Sequence, residues 1–166
     1  MKNILKSLKI LKKLGIKTIK KSFEDEGSTF EEIQIVRNLT SKLDMKLNVK
    51  IGGCEAKSDI AKCQNINVDG IIAPMIETPF AFKKFIQTSS KAEYLSLFIN
   101  IESKTGFSNL KNILSMSNIG FLKGIVIGRS DLVSSFGYSS DYVNSKNIVQ
   151  KIFEALKNIK EKNLIT

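Results

Sequence analysis

Short apolar runs alternate with amphipathic stretches along the whole chain, at intervals of roughly 25–30 residues. Parallel strands need a long crossover between them, usually a helix, whereas antiparallel strands can be joined by a tight turn. The alternation therefore predicts an α/β fold with a parallel sheet. The predicted strands are residues 16–23, 47–53, 71–76, 94–102 and 124–128.

Helical spacing of apolar residues predicts a helix between each pair of strands, as well as one before the first strand and one after the last. Ser28 or Thr29 is expected to cap the second helix, and Thr78 followed by Pro79 is expected to begin the fourth. The predicted helices are residues 2–14, a segment starting at 29 or 30, 55–66, 79–86, 109–116 and 141–162.

Two predicted strands end at a carboxylate. Glu102 follows the strand at 94–102, and Asp131 follows the run at 124–128 in a polar turn. Twenty-nine residues separate these acids, about the length of one helix and two loops in a βαβ unit. Parallel neighbours end at the same edge of a sheet, so Glu102 and Asp131 are expected to face one pocket at the carboxyl edge, where α/β enzymes carry their chemistry.

The absence of histidine limits what such a pocket can do. It excludes Ser-His and Cys-His nucleophile pairs, His-bound zinc and a histidine base. Two converging carboxylates suit a hard divalent cation, and the expected cofactor is Mg²⁺ or Mn²⁺. By spacing alone, Glu102 and Asp131 could equally be helix-capping or loop carboxylates.

Lys50 stands inside an apolar strand just before Gly52 and Gly53. Two interpretations of it remain open at this point. The lysine could extend its charged end outward into solvent, or it could direct a cation towards an anionic substrate.

The net charge of +10 is concentrated at the N-terminus. Residues 1–21 contain eight lysines and no acid, and these lysines account for all but +2 of the charge. The chain has only two arginines, Arg37 and Arg129, which argues against nucleic-acid binding. The basic helix at 2–14 is expected to pack on the domain rather than on a membrane. With no apolar run of 18 residues and no pattern of paired cysteines, a cytoplasmic protein is expected.

Four segments resemble the HpcH/HpaI aldolase and citrate lyase β-subunit family in order and spacing. The resemblance covers roughly residues 16–160, and the last two segments are the most specific. The segments are KIGGCEA at 50–56, APMIETP at 73–79, NIESKTG at 100–106 and GRSDL at 128–132.

The resemblance implies a (β/α)₈ barrel and an enzyme that makes or breaks carbon–carbon bonds. The reaction would pass through an enolate of pyruvate, a related 2-oxo acid or an acyl thioester, held on a divalent metal ion. Glu102 and Asp131 match the two metal-binding carboxylates of the family. Lys50 stands where the family often has an arginine that grips the substrate carboxylate and the enolate oxygen.

The resemblance also assigns roles to further residues. Asn100 falls where a glutamine can support the metal site, and the backbone of Gly128, Arg129 and Ser130 would line the pocket beside the ligand. Glu24 lies in the region that holds an acidic residue in citrate-lyase-like members, and it is the candidate base. The aldolase branch has a histidine there, which this sequence lacks.

Five strands are fewer than the eight of a closed barrel, which takes about 250 residues. A single domain over residues 1–166 is therefore expected to be a partial barrel that lacks its closing strands. A homo-oligomer or a barrel-completing partner is one expectation that follows, since open sheet edges favour pairing. The alternative to an active lyase is a non-catalytic remnant or a partner-completed subunit.

Overall fold

The structure is a computed structural model that describes residues 2–166. It confirms the five predicted strands, with ends that differ by a few residues from the sequence prediction. Met1, the first residue of the predicted domain, lies outside the described residues. The strands are β1 (Thr18–Ser22), β2 (Lys46–Lys50), β3 (Gly70–Ala73), β4 (Ser96–Ile101) and β5 (Leu122–Ile127).

Helices separate the strands as the alternating pattern predicts. Two short 3₁₀ segments, Ile119–Phe121 and Ser140–Asn144, accompany them. The α-helices are α1 (Lys2–Lys13), α2 (Phe30–Lys42), α3 (Lys57–Asn65), α4 (Pro79–Ser89), α5 (Lys104–Ser108), α6 (Leu110–Leu114), α7 (Arg129–Ser135) and α8 (Lys146–Lys160).

All five strands are parallel and lie in the order β1-β2-β3-β4-β5. Strand order that follows chain order is typical of a (β/α) barrel, whereas a doubly wound sheet reverses direction at a switch point. Among the described residues β1 pairs only with β2, so the barrel is not closed. Ile165 forms a parallel bridge to Gly124 on the free side of β5, the position of a sixth strand.

Strand side chains alternate between the two faces of the sheet. One face packs against helices α2, α3, α4, α6 and α8 and forms the main hydrophobic core. Leu47, Val49, Ile71 and Ile99 belong to this core and are fully buried. The other face would form the interior of a barrel, and its residues near the carboxyl edge build the candidate site described below.

Helix-capping predictions from the sequence are confirmed at two places. The Thr29 side chain accepts a hydrogen bond from the Glu32 backbone N–H at 3.2 Å, and the Glu32 carboxylate accepts from the Thr29 N–H at 3.0 Å. This reciprocal capping box begins α2. Thr78 caps α4 with a single bond, in which its side chain accepts from the Ala81 backbone N–H at 3.1 Å, and Pro79 is the first helical residue.

Three sequence predictions of local structure are wrong in detail. The helix predicted at 109–116 is present but shorter, as α6, and a separate short helix that the sequence did not predict, α5, precedes it across Asn109. The long helix predicted at 141–162 is a 3₁₀ segment followed by α8, which starts after its N-cap residue Ser145. The polar turn predicted after β5 is instead the first turn of α7.

Helix α1 packs on the body of the protein through one buried residue. Leu8 is 4% exposed and contacts Leu39 of α2 and Met45. The lysines of α1 for which burial is described are exposed, as the amphipathic pattern predicts. Within residues 2–166, none of the helices combines the length and the apolar character needed to cross a membrane.

Candidate active site

A cavity of about 360 Å³ opens at the carboxyl edge of the sheet. It collects residues from the ends of all five strands and from the loops that follow them. Most of the charged groups predicted from the sequence lie here together. The lining residues are Lys20, Asp25, Lys50, Ile72, Asn100, Glu102, Val126, Gly128, Arg129, Ser130 and Asp131.

Glu102 is the most buried carboxylate of this cavity, with its side chain 2% exposed. One carboxylate oxygen, Oε1, accepts a hydrogen bond from the Met75 backbone N–H at 3.0 Å. The other, Oε2, accepts from the Asn100 side-chain amide and lies 3.2 Å from the Lys50 ammonium. A buried carboxylate needs such partners to stay charged, and here three donors fix its orientation.

Lys50 does not extend outward into solvent. Its side chain is 11% exposed, and its Nζ lies between Glu102 at 3.2 Å and Asp25 Oδ2 at 3.6 Å. The register places Lys50 beside Ser22 of β1 and Ile72 of β3, at the last position of β2. Of the two interpretations left open by the sequence, the structure favours the cation that faces the cavity.

Gly128 permits the close approach of β5 to Glu102. Its N–H donates to the Ile101 carbonyl at 3.1 Å, which joins the two strand ends. A Cβ at position 128 would lie 2.5 Å from Glu102 Cβ and 2.7 Å from Glu102 Oε2. The residue is therefore a glycine because the buried carboxylate occupies the space of a side chain.

Asp131 lines the same cavity as Glu102, so the two acids share one edge of the sheet as predicted. Asp131 is exposed and stands in the first turn of α7, where the positive end of the helix dipole favours a carboxylate. Ser130 precedes it along the cavity wall. The Arg129 guanidinium donates to the Val143 carbonyl at 2.9 Å and to the Asn144 side chain, which ties α7 to the following 3₁₀ segment.

Glu24, the base implied by the resemblance, is not among the residues that line the cavity. Its carboxylate lies beside Gly52 instead. The next residue, Asp25, takes the position in the cavity. Partial burial raises the pKa of Asp25, but the nearby Ser22 hydroxyl and the charges of Lys50 and Lys20 outweigh this and hold the pKa below its ordinary value of 3.8.

Sequence reasoning missed three participants, namely Asp25, Lys20 and Met75. Lys20 could have been found from strand alternation, since it lies two residues before Ser22 on the same face of β1. For Asp25, the sequence shows only that it belongs to a run of three acids at 24–26, and it does not indicate which of the three faces the cavity. Met75 contributes a backbone N–H from a residue with a positive φ of 50°, a conformation that the sequence does not signal.

The oxygen donors of the cavity fit a hard cation. Glu102 and Asp131 supply carboxylates, and the side-chain oxygen of Asn100 is buried without a hydrogen-bond partner. Within residues 2–166 no cluster of three or more Asp, Glu, His or Cys side chains could hold a metal ion by itself. A cation bound here would therefore keep positions for substrate or water oxygens, as Mg²⁺ commonly does.

The fold has counterparts among solved structures. Citrate synthase SbnG matches with a TM-score of 0.80 at 13% identity, over 96% of this chain and 71% of that chain. A HpcH/HpaI aldolase/citrate lyase family protein from Burkholderia cenocepacia matches with 0.79 at 11% identity, over 96% and 73%. Macrophomate synthase matches with 0.76 at 12% identity, over 96% and 66%. A comparison with curated protein sequences found no match.

Fold and cavity together define an α/β protein with an open, barrel-like parallel sheet of five strands and a charged site at the carboxyl edge of those strands. The family model for HpcH/HpaI aldolase/citrate lyase matches residues 33–162. The chain belongs to this family, as its sequence motifs predicted. The matched part contains Lys50, Glu102 and Asp131, whereas Lys20 and Asp25 lie before it.

Proposed function

We propose that this chain is a divalent-metal-dependent carbon–carbon lyase of the aldolase type. The substrate would be pyruvate, a related 2-oxo acid or an acyl thioester, and the reaction would pass through its enolate. One observation carries the proposal: the buried Glu102 carboxylate, the Lys50 ammonium and Asp131 share one cavity at the carboxyl edge of the sheet. Family membership supports the coarser class of aldolase- and citrate-lyase-type enzymes.

The metal part of the proposal rests on the donor set. Glu102 and Asp131 would hold the ion, and the unpartnered oxygen of Asn100 would accept from one of its waters or from substrate. Mg²⁺ or Mn²⁺ suits these oxygens better than a softer metal. When bound, such an ion supplies Lewis-acid stabilisation to negative charge that develops on a carbonyl oxygen.

The chain's own residues supply the remaining functions. Lys50 places a positive charge, held by Glu102 at 3.2 Å, where a substrate carboxylate or enolate oxygen would lie. Because lysine is a single-point donor, it gives less directional control of a carboxylate than an arginine would. Asp25 lines the cavity and Glu24 does not, so Asp25 is the better placed of the two carboxylates to accept a proton.

The open sheet supports a second candidate, a subunit whose barrel is completed by another chain. Over residues 2–166, β1 pairs only with β2, and β5 meets only Ile165 on its free side. Unpaired edges of this kind favour strand addition from a partner or a second copy. Such a subunit would be inactive as a monomer and would gain activity on assembly.

The proposal is tested by solvent deuterium exchange into the methyl group of pyruvate, followed by NMR. We expect exchange that requires Mg²⁺ or Mn²⁺. The exchange rate should fall by at least about 100-fold in Glu102→Gln, because this one substitution changes both a proposed metal ligand and the ion-pair partner of Lys50. The matched control is Glu55→Gln, an exposed glutamate that pairs with Lys84 outside the cavity. It should keep the exchange rate of the parent protein.

Circular dichroism on each variant separates loss of chemistry from loss of folding. Metal-independent exchange, or exchange that survives Glu102→Gln in folded protein, would contradict the proposed site. Absence of exchange in the monomer, with exchange in an assembled form isolated by size, would favour the partner-completed subunit.

A further inference from the structure

Two lysine ammonium groups converge on one carboxylate oxygen at the rim of the cavity. Lys20 Nζ lies 3.3 Å and Lys50 Nζ 3.6 Å from Asp25 Oδ2, and Lys20 Nζ also lies 3.1 Å from Glu26 Oε1, outside the cavity lining. The lysines come from neighbouring strands, because Ser22, two residues after Lys20 on the same face, pairs in register with Lys50. Two cations directed at one oxygen are the arrangement expected of a carboxylate subsite.

The two carboxylates that contact Lys50 are held very differently. Glu102 is 2% exposed and accepts hydrogen bonds from the Met75 backbone and the Asn100 amide. Asp25 is 46% exposed, and it lies in a loop that turns at Gly27, where φ is +57°. Lys50 therefore has one fixed anionic partner and one that solvent can reach.

We infer that Lys20 and Lys50 form a subsite for a ligand carboxylate, and that Asp25 fills this subsite when no ligand is bound. An incoming carboxylate exchanges with Asp25 on the two ammonium groups, while Glu102 stays in place. The inference rests on the proposed function for the role of Lys50 and adds Lys20 as a binding residue. It selects ligands that carry a free carboxylate, such as 2-oxo acids, over neutral carbonyl compounds.

Removing the charge of Asp25 should tighten carboxylate binding, because the ligand no longer competes with an internal anion. The probe is pyruvate, titrated without divalent metal and followed by protein NMR chemical shifts. Asp25→Asn should lower the dissociation constant about two- to five-fold. Pyruvamide, the uncharged analogue, should show no such gain.

Asp44→Asn is the matched control for this change. Asp44 is an exposed aspartate between α2 and β2, at the opposite end of the sheet, and its φ of 50° is readily adopted by asparagine. The same loss of one negative charge at this site should leave pyruvate binding unchanged. Equal tightening in both variants would show a general charge effect and overturn the inference.

Two lysines, one inside and one outside the cavity, provide the second comparison. Lys20→Met should weaken pyruvate binding about two- to five-fold, because one of the two ammonium groups is lost. Lys84→Met is the control, since Lys84 does not line the cavity and pairs with Glu55 at 3.0 Å. Unchanged or weaker binding in Asp25→Asn, or no saturable binding in any variant, overturns the inference.

Failure of this inference and failure of the proposed function give different results. If deuterium exchange requires metal and Glu102 while Asp25→Asn leaves the pyruvate dissociation constant unchanged, the lyase proposal stands without the subsite. If Asp25→Asn tightens binding while no enolate exchange occurs, the chain binds carboxylates through Lys20 and Lys50 without this chemistry.

Discussion

At the scale of single residues, the site depends on how closely backbone and side chains approach the buried Glu102. Gly128→Ala would place a methyl group 2.5 Å from Glu102 Cβ, closer than real contacts allow. We expect the carboxylate to shift, with loss of about 1–3 kcal/mol of unfolding free energy and a marked fall in pyruvate exchange. Urea denaturation and the exchange assay measure the two effects.

Gly120→Ala is the matched control, because a Cβ at that position meets nothing within 4 Å. Its denaturation midpoint and exchange rate should stay close to those of the parent protein. Retention of full exchange in Gly128→Ala would mean that the position of Glu102 is not critical.

Which site residues can be predicted from a sequence depends on what positions them. Glu102 and Asp131 could be placed together because parallel strands end at one edge, whereas the sequence left open whether Lys50 faces solvent or the cavity. Whether Glu24 or Asp25 faces the cavity depends on the backbone angles of the loop after β1. A loop has no repeating pattern of apolar residues from which the direction of its side chains could be predicted. Strand and helix alternation thus predicted the fold, while loop conformation decided the finer arrangement.

At the scale of elements, Leu8 is the buried residue of helix α1 that attaches it to the body of the protein, with Leu5 partly buried beside it. Leu8 is 4% exposed between Leu39 and Met45, whereas Leu11 of the same helix is 36% exposed. Leu8→Ala should destabilise this packing by about 2–5 kcal/mol. Because the main core does not include Leu8, we expect local release of α1 rather than global unfolding.

Hydrogen exchange resolved by residue tests this expectation. Amides of α1 should exchange faster in Leu8→Ala, while those of the central strand β3 should stay protected. Leu11→Ala should change little. Faster exchange throughout the sheet would show that α1 belongs to the same cooperative unit as the core.

At the scale of the whole molecule, the acidic loop after β1 makes the free energy of unfolding depend on pH. Partial burial raises the pKa of Glu26, but the hydrogen bonds and charges of Lys21 and Lys20 have the larger effect and hold this pKa below its ordinary value of 4.5. The pKa of Asp25 likewise lies below its ordinary value of 3.8. The unfolded chain therefore binds more protons than the folded one in this range. The stability contributed by these acids is fully present above their ordinary pKa values and is lost as the pH falls through the lower folded values.

We expect the urea midpoint to fall as the pH drops from 6 towards about 3. The net charge of +10 at pH 7 strengthens the trend, since each protonated acid adds to the repulsion among lysines. Lys21→Met removes a cause of the Glu26 shift, so its midpoint should depend less steeply on pH in this range. An equally steep dependence in this variant would contradict the assignment.

Gly124 has a consequence for how this sheet can be extended. A Cβ there would meet the Ile165 carbonyl oxygen at 2.5 Å, while the Ile125 N–H donates to that same oxygen at 2.9 Å. Because Gly124 has no side chain, the backbone of Ile165 can approach β5 closely enough to form the parallel bridge. A larger residue at position 124 would clash with Ile165, so the segment after α8 could not pair with β5 in this register.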